Sequence, residues 1–418
     1  MGFASAYLSR RSVNYPLIDD LPLPGTGLIV IVPAFAEPDI TLLLDSMAVA
    51  ENTHCNTEVI IGVNAPPGAS LKQIEQNRES LANIDRWRKS NPDPFFSLLT
   101  VDAGESSDPE WGAGMARKML MDEALRRFNL SDYGDGVIVS LDGDCTVSSN
   151  YLSEIEKQFA SQPPISGAII RFEHPLPEAD VDHQMAIAAY ELHMRYHYQA
   201  LKKCRMPSVY HTIGSAIAVR ASAYVRAGGM SRKTAGEDFY FIQKLIPAGK
   251  IAEINTTTLF PSPRVSDRVP FGTGPTVASM LEKRTWQLLT WHPESYKPIA
   301  LLNDLVPRLY RMDDAATDST LDELPAPMSM FLRESGWVQK VAEIRKNTAG
   351  EASFTVRFYR WFNMFRVIRY LNRVHNGIIW SKTGIDEAAA LLLSEITGKD
   401  CTGLNRIDLL MQFRALER

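Results

Sequence analysis

Four short apolar runs in the first third of the chain are rich in β-branched residues. They are Leu28 to Pro33 (LIVIVP), Glu58 to Val63 (EVIIGV), Ser97 to Val101 (SLLTV) and Gly136 to Leu141 (GVIVSL), and each reads as a buried strand. The stretches between them carry helix signals. Pro38 and Asp39 supply a first-turn proline and an early acid, and Leu43, Leu44 and Met47 give the helix that follows an apolar face. Asn64 and the turn Pro66-Pro67-Gly68 close the second run. Gly112-Ala113-Gly114 opens a helical stretch, MARKMLMDEALRRF. Strands alternating with helices predict an α/β fold with a mostly parallel central sheet and helices on both faces. Ligands of such sheets bind beyond the carboxyl ends of the strands.

Farther along, a long helix is expected from about Asp182 to Lys203, followed by irregular, turn-rich sequence near Pro261, Pro263, Pro270 and Pro275. After Val277 the pattern is helical, interrupted by an acidic, proline-containing linker around Asp313 to Pro327. The expected organisation is an N-terminal extension (1–25), a sheet domain (26–276) and a mainly helical C-terminal region (277–418). With 418 residues, 45% of them apolar, the chain can bury one large core and a smaller one. A formal net charge of −5 argues against nucleic-acid binding by the surface as a whole. Cys55, Cys145, Cys204 and Cys401 are scattered and form no CxxC pair, which fits a reducing compartment and gives no zinc framework. No early run suits a signal peptide, and no stretch approaches the ~20 apolar residues that span a bilayer. The expectation is a soluble cytoplasmic protein.

Candidate chemistry sits at the strand ends. Asp142-Gly143-Asp144 follows the fourth run directly. Two carboxylates one residue apart can share a divalent cation, with magnesium or manganese favoured by oxygen ligands and phosphate partners. The same triplet is common in solvated turns. Gly236-Glu237-Asp238 opens the helical run FYFIQKLIPAG. Its acids suit a helix N-terminus, and one of them could equally serve as a general base; spacing alone does not choose.

The order of motifs does choose. IVPAFAE, VIIGVNA, GAGMARK, VSLDGDC, GSAIAVR, AGGM and GEDFYFIQKL follow one another between roughly Leu28 and Ile254. As an ordered set they resemble glycosyltransferase family 2, whose members have the GT-A fold. The resemblance implies a nucleotide-diphosphate-sugar-dependent glycosyltransferase of the hexosyl-transferring type. It implies that Pro33, Ala34 and Glu37 line the nucleotide pocket, and that Asn64 stands where the family usually has a base-contacting aspartate. Arg117 is implied as a base or phosphate contact, Asp142 and Gly143 as the ribose and metal turn, and Asp144 as the main ligand of Mn2+ or Mg2+. Asp238 takes the position of the catalytic base, with Glu237 beside it orienting the acceptor. The QxxRW motif of processive members is missing, which implies single addition, expected to be inverting.

Other features stay open between a functional and an ordinary reading. Arg264 and Arg268, in PSPRVSDRVPFGTGP, suit a clamp on a donor diphosphate or a structural loop. His193 and His197 have zinc-compatible spacing but lack the glutamate of a protease motif, so an acceptor-pocket wall is the better expectation. His211 and His292 are weaker acceptor-side and metal candidates. The segment Phe354–Asn376 has five arginines and no acid, and Arg366, Arg369 and Arg373 share a helical face. It suits a core helix or peripheral contact with the inner face of an anionic membrane, in which case the acceptor is lipid-linked; otherwise a saccharide acceptor is expected. Two alternatives to the transferase are a non-catalytic nucleotide-sugar-binding scaffold and a sugar nucleotidyltransferase. The second would need a glycine-rich basic loop after the first strand, where PAFAEPD stands.

Overall fold

The computed structural model describes residues 2–11, 16–161, 163–233, 236–266, 272–376 and 379–418. The chain forms two compact units. One comprises Met1–Ala179, His211–Ser279 and Glu417–Arg418; the other comprises Asp180–Tyr210 and Met280–Leu416.

The first unit is built on a sheet that has eight strands among the described residues. They are β1 (Thr26–Ala34), β2 (Asn56–Ala65), β3 (Phe96–Glu105), β4 (Val137–Ser140), β5 (Thr146–Val147), β6 (Gly167–Phe172), β7 (Ile217–Arg220) and β8 (Ile251–Phe260). Their spatial order is β3-β2-β1-β4-β7-β6-β8-β5. β3, β2, β1 and β4 run parallel, as do β6 and β8. β7 is antiparallel to both β4 and β6, and β5 is antiparallel to β8. The fold is therefore α/β with a mixed, mostly parallel sheet. The four apolar runs are β1 to β4, and the central residues of β1, β2 and β4, Ile29 to Val32, Val59 to Ile61 and Ile138 to Val139, are fully buried. The third run departs from the buried strand expected of it: β3 ends the strand order, and Ser97 to Thr100 are only half-buried there. A parallel strand covered on both sides has no solvent face to make polar, so it reads as continuous apolar sequence.

Helix Ala113–Leu130 packs against β1, β2 and β4. Gly62 permits its approach, since a Cβ there would stand 2.6 Å from Leu120 Cδ2. A buried bidentate pair also ties this helix to β2: Arg127 donates from Nε to Glu58 Oε2 at 2.6 Å and from Nη2 to Glu58 Oε1 at 2.8 Å. Helix Leu71–Ser90 begins with a capping box. Ser70 Oγ accepts from Gln73 N at 3.3 Å, and Gln73 Oε1 accepts from Ser70 N at 2.9 Å.

Among the described residues, the regular structure of the second unit is helical apart from a short antiparallel pairing of Leu289–Thr290 with Thr383–Gly384. Its long helix Val181–Lys203 is joined to the helix Arg406–Leu416 through fully buried Glu191. Arg414 donates to both carboxylate oxygens of Glu191 at 2.7 Å, and Arg195 donates to one at 2.8 Å. Among the described residues, no helix is long and apolar enough to cross a membrane. Cys55, Cys145, Cys204 and Cys401 are free thiols.

Candidate functional site

The carboxyl ends of β1, β2 and β4 lie side by side in the sheet, and the turns leaving them are held by side chains. Past β1 the chain turns sharply at Ala36, whose φ of 49° lies in the left-handed region that a residue with a Cβ rarely adopts. Asn77 holds this turn. Its Oδ1 accepts from Ala36 N at 2.8 Å and its Nδ2 donates to Asn64 O at 2.9 Å. Ser80 Oγ adds a bond to Glu37 O at 2.6 Å. Asn64, in β2, donates to Ala34 O at 3.0 Å and accepts from the indole of Trp111 at 3.0 Å. Both ends of its amide are thereby engaged. Pro33 is half-buried and Ala34 buried, each paired in register with β2.

Past β4, Leu141 N donates back to Ile31 O, and the chain enters Asp142-Gly143-Asp144. Gly143 lets the turn sit close to its neighbours: a Cβ there would stand 2.9 Å from Ile40 Cδ1 and 3.1 Å from Glu37 Cγ, so those side chains would have to give way. That contact brings buried Glu37, from the β1 turn, up against the acidic turn.

Two arginines organise the carboxylates. Arg117, buried on helix Ala113–Leu130, donates from Nε to Ser140 Oγ at 3.0 Å, from Nη1 to Glu237 Oε1 at 2.7 Å and from Nη2 to Asp142 Oδ1 at 2.5 Å. Burial disfavours its charge, but Asp142, Glu237 and Asp238 more than offset this, so its pKa rises above the ordinary arginine value. Its guanidinium packs closely against the chain at Gly214, where a Cβ would stand 2.6 Å from Nη2. Arg264 makes the second grouping. Its Nη2 pairs with Glu37 Oε2 and stands 3.2 Å from Asp144 Oδ2. Its Nε is buried and has no hydrogen-bond partner among the described residues.

Glu237 and Asp238 open helix Glu237–Leu245 after Gly236, which caps it at a φ of 71°. Gly114 lets this helix start close to Arg117's helix: a Cβ on it would fall 2.2 Å from Lys233 O and 2.8 Å from Glu237 Cβ. Glu237 is buried and committed to Arg117. Asp238 is half-buried and accepts from Phe239 N at 2.6 Å. Burial, and then the charge of neighbouring Glu237, push the Asp238 carboxyl up to about 6. A carboxylate in that range can take a proton near neutral pH.

The sequence candidates therefore gather into two linked groups, Arg117 with Asp142 and Glu237, and Arg264 with Glu37 and Asp144. Arg268 lies outside the described residues. His211, also in this unit, pairs with Glu417 at 3.1 Å. In the helical unit, His197 Nδ1 stands 2.8 Å from Tyr296 Oη, and His292 Nδ1 accepts from Glu294 N at 3.2 Å. His193 is half-buried near Trp291, and burial lowers its pKa to about 4. Sequence reasoning passed over Ser140, Asn77 and Trp111. Ser140 had a signal, since it is the one polar residue in the run GVIVSL. Among the described residues, no group of three or more histidine, cysteine, aspartate or glutamate side chains is placed to hold a metal ion.

No protein-family model and no curated sequence matches the chain. Solved structures resemble it remotely. One is S. aureus TarS 1–349 in complex with UDP-GlcNAc, at 12% identity over 77% of this chain and 90% of that one, with a TM-score of 0.40. A mannosyltransferase from Pyrobaculum calidifontis in complex with GDP-Man and Mn2+ is 13% identical over 86% and 93%, with a TM-score of 0.37. Glucosyl-3-phosphoglycerate synthase from Mycobacterium tuberculosis, with Mn2+, UDP and phosphoglyceric acid, is 15% identical over 65% and 84%, with a TM-score of 0.33.

Proposed function

We propose that the chain is a GT-A-type glycosyltransferase that moves a sugar from a nucleotide diphosphate to an acceptor hydroxyl, by inversion and in a single, non-processive addition. The observation that carries this reading is the meeting of two separately encoded acidic motifs on one guanidinium. Arg117 holds Asp142 of the strand-end turn and Glu237 of the helix start together in the first unit. The reading assigns the chemistry to residues 26–276, with 1–25 as an extension and 277–418 as the helical region. The donor is proposed to be a UDP- or GDP-sugar, with its base beside Pro33, Ala34, Asn64 and Trp111 and its diphosphate toward Asp144 and Arg264.

A divalent cation fits the donor set. The carboxylates of Asp142 and Asp144 offer oxygen, and the position between Glu37 and Asp144 already accommodates a positive group, the Arg264 guanidinium. Asp144 and Asp142 would hold Mn2+ or Mg2+, with oxygens of the substrate completing the shell. The cation supplies neutralisation of charge developing on the leaving diphosphate.

The other tasks belong to the chain. Asp238 takes the proton from the attacking acceptor hydroxyl. Glu237 makes Asp238 more basic through its charge and fixes Arg117. Arg117 acts as a positioning residue that locks the orientation of Asp142. A saccharide or lipid-linked acceptor is proposed. Contact of Phe354–Asn376 with an anionic membrane surface remains part of the proposal, with Arg366 stacked 4.5 Å over Trp361 and Arg369 exposed.

The test is a screen of UDP- and GDP-sugars with manganese, following nucleotide release and the anomeric proton of any product by NMR. Release from one donor class, with inversion at the anomeric carbon, is the expected outcome. A product that keeps the donor's configuration would overturn the role given to Asp238.

A further inference from the structure

We infer that Arg264 is a built-in placeholder for the divalent cation, displaced from Asp144 when a nucleoside diphosphate arrives with its metal and then pairing with the phosphates. This rests on the reading of the strand-end acids as a diphosphate site. Three observations lead to it. First, Glu37 is buried at 4% exposure and carries its charge against the acidic turn, so the nucleotide-free chain needs a positive group there. Secondly, Arg264 meets that need in an unusual way. A single nitrogen, Nη2, serves both Glu37 and Asp144, as a point charge would, instead of the two-nitrogen fork that guanidinium commonly offers a carboxylate. Thirdly, the fork is left incompletely used, since the buried Nε has no acceptor among the described residues. A phosphate oxygen is an acceptor suited to that N–H.

The exchange also suits the local charge. Among the described residues, Arg264 faces Glu37 and Asp144, and Arg117 is already committed to Asp142 and Glu237. A divalent cation entering alone would have to displace Arg264 from Asp144 with no new partner for the guanidinium. Entering with a diphosphate, it brings that partner. Cation and nucleotide should therefore bind with positive coupling, and Arg264 should be the source of it.

The test is calorimetric titration of the full chain and of Arg264→Gln, first with Mn2+ alone and then with UDP and with GDP in saturating Mn2+. The substitution should tighten Mn2+ binding without nucleotide by about tenfold or more, and weaken nucleotide binding by a similar factor. Arg264→Lys, which keeps the charge, should hold Mn2+ alone near the wild-type affinity. It also serves as the control if Arg264→Gln disturbs folding, which near-UV circular dichroism would reveal. Unchanged or weaker Mn2+ binding in Arg264→Gln, with weakened nucleotide binding, would make Arg264 a plain phosphate contact and overturn the placeholder role alone. A folded wild-type chain that takes up no Mn2+ even with UDP or GDP would overturn the diphosphate reading itself.

Discussion

Asp238 faces two demands that pull its chemistry in opposite directions. To serve as a base it must be ionised, yet burial and Glu237 both favour its protonated form and lift it to about 6. Two outcomes follow for the same carboxyl. The first concerns rate: kcat/KM should rise with pH and level off above an apparent pKa near 6, and Asp238→Asn should lower turnover by roughly 10²–10⁴-fold with donor binding nearly unchanged. The second concerns stability, and its sign is opposite. The folded pKa lies above the ordinary value of 3.8, so the fold binds the proton more tightly than the unfolded chain does. Whatever stability the protonated form confers is fully present below about 4 and is lost as pH rises through about 6. Asp238→Asn should therefore be more stable than wild type at pH 7.5, by up to about 3 kcal/mol, and no more stable near pH 3.5. Urea melts at the two values check this, and a variant less stable at both would contradict it. Arg117 gives the complementary case. Arg117→Met would leave Glu237 buried without its cation, and such a loss costs about 3–5 kcal/mol, readable in the same melts.

At the level of elements, the site depends on how closely two helix starts approach. Gly114 is the point of contact, and Gly114→Ala must push Glu237 and the chain at Lys233 away. The expected result is a loss of about 1–3 kcal/mol from overpacking, together with a fall in turnover larger than that loss explains. Wild-type turnover in that variant would show that the approach is not needed. The same elements explain what could be read from the sequence. β1, β2 and β4 were legible because strands buried on both faces have few polar positions to interrupt the apolar run; β3, at the sheet edge, was legible as a strand although most of it is only half-buried. Helix Leu71–Ser90 was not, since only Asn77, Ser80, Ile84 and Trp87 are buried along its twenty residues and two of those are polar. β8 was also obscured, for its polar run Asn255 to Thr258 is partly exposed and interrupts the apolar pattern. The candidate acids were visible as motifs. Their partners were not, because a guanidinium chooses among carboxylates by three-dimensional proximity. Nothing in the spacing of Arg117, Asp142 and Glu237, or of Glu37, Asp144 and Arg264, states which will meet. Ala36 hid for another reason: an alanine gives no warning that the turn around it forces a positive φ.

At the scale of the whole molecule, the chain divides its work between a sheet-based unit and a helical one, and the division is not continuous in sequence. The helix Val181–Lys203 belongs with the C-terminal helices, where Glu191 takes Arg195 and Arg414, although it is encoded between β6 and β7. Pattern alone could mark it as a helix but not choose its companions, since the pairing to Arg414 spans more than half the chain. The acids read as metal ligands lie in the sheet-based unit at the end of β4, a strand that its apolar run had already marked, and those read as catalytic open helix Glu237–Leu245 in the same unit. The central claim, that these strand-end acids hold the metal-bound diphosphate of a sugar donor, is tested most directly by comparing wild type with Asp144→Ala. The donor found in the nucleotide-sugar screen would be used, with saturating Mn2+ and again with excess EDTA. The expected result is that Asp144→Ala keeps its fold but loses both transfer and Mn2+-dependent donor binding, and that EDTA brings wild type to the same state. Full activity in Asp144→Ala, or undiminished wild-type activity in excess EDTA, would contradict it.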